Sequence, residues 1–104
     1  MTKSQIVNQI SEATGISKKE TEIVVEGFIS VIIDCLRRND SIEIRGFGTF
    51  KNKVREPRKA RNPKTGESIE LQKRYIPFFK VSKEFKKIVM DSLHDDFSNN
   101  NIIN

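Results

Sequence analysis

Arg55-Glu56-Pro57-Arg58-Lys59-Ala60-Arg61-Asn62-Pro63-Lys64-Thr65-Gly66 is a basic turn held between two runs that alternate apolar and polar residues. A period of two marks strands, and Asn-Pro followed by Thr-Gly marks a turn. The stretch therefore predicts the tip of a positively charged hairpin, an arm over about 52–74. An isolated two-stranded hairpin is marginal in water, and this one has few apolar residues of its own. A large polyanion is the natural partner of such an arm.

The flanking residues supply the body that carries it. Toward the N-terminus, Ile42 and Ile44 alternate with Glu43 and Arg45, and Gly46-Phe47-Gly48-Thr49-Phe50 follows, which reads as a strand with a break. Phe47 and Phe50 are three apart and share a face only if that strand bends between them. On the other side, Ile69 and Leu71 alternate with Ser68, Glu70 and Gln72, the returning strand runs on through Ile76, and Pro77-Phe78-Phe79-Lys80 closes the sheet. Two capping boxes, Thr2 with Gln5 and Ser17 with Glu20, open helices. The first is short and stops at Thr14-Gly15; the second is longer and ends at Arg37-Arg38-Asn39. Its apolar residues, among them Ile23, Val24, Phe28, Val31 and Ile32, cover so wide an arc that it needs more cover than one short helix gives. A second subunit is one source. Ser82 is placed to cap a last helix with Phe85, Ile88, Val89 and Leu93 on one face, and the Asp/Asn-rich residues 91–104 read as a disordered tail. The fold class is α+β.

Composition points the same way. The 104 residues hold 19 Lys+Arg and 14 Asp+Glu, a net charge of +5. The excess is local: residues 1–50 carry six basic and seven acidic side chains, residues 51–87 carry thirteen and four, and residues 88–104 carry three Asp and no base. A charge run is often a solvated face, but one concentrated on an arm also attracts phosphate backbones over distance. A chain of this size is near the limit for a stable lone core, which again favours association. Cys35 is the only cysteine, so neither an internal disulfide nor a cysteine-pair zinc site is available. The N-terminus lacks the apolar core of a signal peptide and no apolar run approaches a membrane span, so the chain reads as soluble and intracellular, with no membrane partner.

Catalysis has little support. His94 is the only histidine and lies near the tail, Cys35 falls on the apolar side of a helix, and Gly46-Phe47-Gly48 lacks both the third glycine of a dinucleotide loop and the Gly-Lys-Ser/Thr of a phosphate loop. Neither an enzyme nor a cofactor or metal site is expected.

Arg45-Gly46-Phe47-Gly48-Thr49-Phe50, then Lys59-Ala60 leading into Arg61-Asn62-Pro63-Lys64-Thr65-Gly66, then Pro77, Phe79-Lys80, Lys83 and Lys86, in this order and spacing, resemble the HU/IHF family of bacterial histone-like DNA-bending proteins over residues 1–90. The resemblance implies an intertwined dimer: an N-terminal helical hairpin, an antiparallel sheet with an extended β-ribbon arm and a short C-terminal helix from each subunit, with Phe28, Phe47, Phe50 and Phe79 in the shared core. It implies double-stranded DNA as the partner and a place in the cytoplasm on the nucleoid. Lys53, Arg55, Arg58, Lys59, Arg61, Asn62, Lys64 and Arg74 would contact phosphates or enter the minor groove, and Pro63 would intercalate as a wedge. Lys3, Lys80, Lys83 and Lys86 would add contacts from the body. An arm of about 3.3 Å per residue from Asn52 to Asn62 reaches roughly 35 Å, close to one duplex turn of ~34–36 Å. Unstacking one base step costs a few kcal/mol, offset by the protein surface that a bent duplex wraps. Ala60 and Ser82 stand where family members often carry glycine, and residues 91–104 extend past the usual family end.

The expected function is thus an architectural protein that bends and compacts duplex DNA with little sequence preference, as a homodimer or as a heterodimer with a paralogue. One alternative is a site-selective subunit of the IHF kind, to which Ile42-Glu43-Ile44-Arg45 and Pro57 bear a slight likeness. Another is an RNA-binding or ribosome-associated basic protein, against which stands the lack of aromatic residues in the arm for stacking unpaired bases. A third, an arm that binds an acidic protein, predicts no DNA shift at physiological salt.

Overall fold

The computed structural model describes the backbone of residues 1–103 and the side chains of residues 1–94. It divides into two compact units, Met1–Arg38 and the residues from Asn39 onward.

The first unit is a pair of helices, α1 (Lys3–Thr14) and α2 (Lys18–Arg37). Both helices start at the expected caps, the box complete at Thr2 with Gln5 and present only in its Ser17 half at α2. Thr2 Oγ1 accepts the Gln5 N–H at 3.3 Å while Gln5 Oε1 accepts the Thr2 N–H at 2.8 Å, which satisfies two of the orphan donors of the first turn. Gly15 closes α1 in the left-handed region at φ 76°, where its N–H donates to the Ser11 carbonyl. Ser17 Oγ accepts the Glu20 N–H at 3.2 Å to start α2. After α2, Asn39 turns the chain at φ 58°, a conformation asparagine tolerates better than most residues. Val7 is the only buried hydrophobic side chain among the described residues; on α2, Val24 is 68% exposed and Val31 63%.

The second unit holds β1 (Ile42–Ile44), β2 (Gly48–Arg55), β3 (Arg58–Arg61), β4 (Ser68–Leu71), β5 (Arg74–Val81) and α3 (Lys83–Ile103). The strands form a three-stranded antiparallel sheet in the order β1-β2-β5 and a two-stranded sheet β3-β4. The expected bend in a single strand is instead a complete reversal. Residues 45–47 form a tight turn, with Gly46 at φ 78° and the Phe47 N–H donating to the Ile44 carbonyl at 3.0 Å, so that β1 pairs back onto β2 with Ile42 opposite Phe50. This turn brings Phe47 and Phe50 to one face, their ring centroids 6.3 Å apart. Phe79, opposite Phe50 in register, lies 4.4 Å from it and 4.8 Å from Phe47, and Phe85 of α3 lies 5.6 Å from Phe47. Four aromatic rings in tilted and edge contacts are the centre of this unit. Pro77 falls on β5, an edge strand, where a missing N–H is tolerated.

The returning strand is also broken, at Gln72-Lys73, opposite the break at Glu56-Pro57. Pro57 cannot donate to a ladder, and pairing lapses at it and at Glu56 before resuming at Arg58. The register survives: Arg55 pairs with Arg74 on one side of the break and Arg58 with Leu71 on the other, the same alignment carried across. The last helix begins as expected, with Ser82 Oγ accepting the Phe85 N–H at 3.1 Å. It runs through Ile103 and so takes in most of the stretch that composition assigns to a disordered tail; Lys87 and Asp91, paired at 2.7 Å one turn apart, support its passage beyond residue 90. The side chains past His94 and the last residue lie outside the described residues. Among the described residues no helix is long and apolar enough to cross a membrane.

Candidate nucleic-acid interface

Because the side chains of paired antiparallel residues share a face, the β2–β5 register sorts the arm's root into two surfaces. One carries Phe50 with Phe79 and, further out, Val54 with Tyr75. The other carries Thr49 with Lys80, Lys51 with Phe78, Lys53 with Ile76, and Arg55 with Arg74. Five cations thus stand in a row on the side of the sheet away from the aromatic cluster. All five are exposed. Beyond the joint, the β3–β4 ribbon puts Lys59 and Arg61 on one face with Glu70 and Ser68, and Arg58 and Ala60 on the other with Leu71 and Ile69.

At the end of the ribbon the turn is held by its own polar groups. Asn62 donates its N–H to the Glu67 carbonyl at 2.8 Å, and its carbonyl accepts the Gly66 N–H at 2.7 Å. Its side-chain Oδ1 accepts the Lys64 N–H at 2.9 Å, an Asx turn closed around Pro63. Gly66 sits at φ 75°, which a residue with a side chain would strain to adopt, and Thr65 Oγ1 accepts the Glu67 N–H. Pro63 is exposed at the apex, apolar and without a donor to desolvate.

Every cation expected on the arm (Lys53, Arg55, Arg58, Lys59, Arg61, Lys64 and Arg74) is exposed, and among the described residues none of them is in an ion pair. Lys80, Lys83 and Lys86 are exposed at the end of β5 and the start of α3. Lys3 differs: its Nζ is bound to Glu26 Oε1 at 2.8 Å, and that hydrogen bond, then the Glu26 charge itself, raises its pKa above the ordinary lysine value. Of the four phenylalanines assigned to a shared core, Phe47, Phe50 and Phe79 come together, while Phe28 lies on α2, 48% exposed. Sequence reasoning left out Phe85 as the fourth ring of the cluster, and Lys51 and Phe78 on the cationic face. Lys51 was legible from its spacing to Lys53 and Arg55; Phe78 was not, because only the register sets it opposite Lys51.

The match to the family described as bacterial DNA-binding protein covers residues 1–90. Among relatives, the integration host factor subunit beta of Teredinibacter turnerae is 44% identical over 96 residues, 91% of this chain and 98% of its own length. That of Vibrio atlanticus is 44% identical over 94 residues, 89% of this chain and 100% of its own. Among solved structures, Anabaena HU in a cocrystal with DNA superposes with a TM-score of 0.76 at 31% identity, covering 86% of this chain and 97% of that one. An HU variant from Thermotoga maritima superposes with a TM-score of 0.65 at 25% identity, covering 86% of this chain and 99% of that one. With the aromatic cluster, the joint arm and the Asn-Pro tip in place, the chain belongs to the HU/IHF family of DNA-binding, dimer-forming architectural proteins.

Proposed function

We propose that this chain bends and compacts duplex DNA with little sequence preference, its arms lying in the minor groove and Pro63 wedged at a base step, in the cytoplasm and on the nucleoid. The observation that carries this reading is the row of exposed cations from Lys80 to Arg74, and within it Arg55 directly opposite Arg74. Like charges facing each other across a ladder destabilise the free ribbon. A polyanion laid along that face removes the penalty, so binding and ordering of the arm are coupled. The tip contributes a preformed apolar wedge: Asn62 and Gly66 fix the turn around Pro63, and little ordering is left for binding to impose. Lys53, Arg55, Arg58, Lys59, Arg61, Asn62, Lys64 and Arg74 take phosphates or the groove, and Lys3, Lys80, Lys83 and Lys86 take flanking phosphates. Lys3 does so by exchanging Glu26 for DNA.

A second reading, a site-selective subunit paired with a different chain, is favoured by the relatives, which are named as subunits of integration host factor. One experiment separates the two. The purified chain alone is titrated into labelled linear, nicked and pre-bent duplexes and a matched single-stranded RNA, with affinity and end-to-end distance read together. Tight binding with shortening, strongest on nicked or bent DNA and indifferent to sequence, supports the homodimeric bender. Weak binding to every duplex, restored by a paralogous chain on particular sites, supports the second reading. Preference for the RNA sinks both.

A further inference from the structure

Phe78 has no part in the aromatic cluster. It lies on the opposite side of the sheet, half-buried, on the same face as Lys51, its register partner, and Lys53, its diagonal neighbour. Both lysines rest on its ring: Lys53 Nζ is 4.3 Å from the centroid and Lys51 Nζ is 5.5 Å. Two ammonium groups on one strand face repel each other, and each hangs on a flexible four-carbon stem whose freedom is costly to lose on binding. A ring face between them counters both effects, since its negative quadrupole attracts the two cations and restricts where they sit. An ammonium over a ring still has donors directed away from it, free for phosphate oxygens.

We infer that Phe78 is a positioning residue that holds Lys51 and Lys53 as a paired phosphate seat at the root of the arm. The inference rests on the cationic face being the one that meets DNA. It adds Lys51 to the interface and makes Phe78 act through the two lysines rather than by touching the core. Lys80, Arg55 and Arg74 continue the same face on either side, so the seat bridges body and arm along one line of phosphates.

The test is a cycle of variants of the full chain: Phe78→Leu, Phe78→Tyr, Lys51→Gln with Lys53→Gln, and Phe78→Leu in that double background. Affinity for a nicked duplex is measured across a salt series, and the Lys51 and Lys53 Hε chemical shifts are measured in the free protein. Phe78→Leu should weaken binding about 3- to 10-fold with an unchanged salt slope, since both charges remain, and Phe78→Tyr should restore it. The double lysine variant should flatten the slope of log affinity against log salt by about 0.9 for each phosphate that is no longer neutralised, and Phe78→Leu should then add nothing. Lysine Hε resonances displaced upfield by the ring in the parent, and not in Phe78→Leu, complete the expected result. Equal weakening by Phe78→Leu with and without the lysines overturns the inference, as does the absence of any ring-induced displacement. If the parent chain bound no duplex, the DNA reading would fall first, and the Hε shifts would still decide whether Phe78 positions the lysines.

Discussion

Gly48 is where single-atom packing decides the sheet. A Cβ there would meet the Lys80 carbonyl and sit 2.5 Å from the Phe79 ring, so the residue that starts β2 has to be glycine for β5 to lie against it. Gly48→Ala should cost about 1–3 kcal/mol of stability, read as a lower urea midpoint, because the clash is with backbone and a packed ring that cannot swing away. On the cationic face, Arg74→Gln removes one member of an unrelieved like-charge pair; it should lower the salt slope of DNA binding by about 0.9. A slope that stayed the same would take Arg74 out of the interface. Lys3 and Glu26 give a pH dependence of determined sign. Lys3 has its pKa raised in the folded chain, so the pair's contribution is whole below 10.5 and fades as pH rises through the higher folded value. Thermal melts of parent and Glu26→Gln should differ most at neutral pH and converge only above pH 10.5.

At the scale of elements, the arm is two short ribbons rather than one. Pro57 interrupts the ladder, yet the register is the same on both sides, so the joint breaks the pairing without sliding one strand past the other. The tip is tied down by bonds of Asn62, Thr65 and Gly66, none of which involves the Pro63 ring. Pro63→Ala should therefore leave the turn and most phosphate contacts in place. Bending, measured by fluorescence transfer between duplex ends, should fall more than affinity does; unchanged bending would remove the wedge from the mechanism. The two helix starts and a break in the strand around Phe47 were legible as local chemistry, from Thr2 with Gln5, Ser17 with Glu20, and the glycines on either side of Phe47. The severity of the turn was not. Two glycines permit either a bulge or a reversal, and the choice depends on whether Ile42 gains more by pairing with Phe50 than by extending a strand.

For the whole molecule, the isolated chain leaves its larger apolar groups uncovered: Val7 alone is buried among the described hydrophobic residues, and Phe28, Val24 and Val31 of α2 stay exposed. A core shared between two subunits would cover these side chains, and stability should then rise with protein concentration. Phe28→Asp should abolish the dimer in sedimentation and lower the melting temperature at micromolar protein; a variant that stayed dimeric and equally stable would exclude Phe28 from the shared core. The elements and the chemistry of the arm are written in the linear order of residues, because caps, turn residues, alternation and the local excess of Lys and Arg act over a few positions. Which cations share a face, that Phe78 lies under two of them, and that Phe47, Phe50, Phe79 and Phe85 meet are properties of the folded chain alone. They depend on strand register and on a chain reversal, which bring together residues that no local period relates.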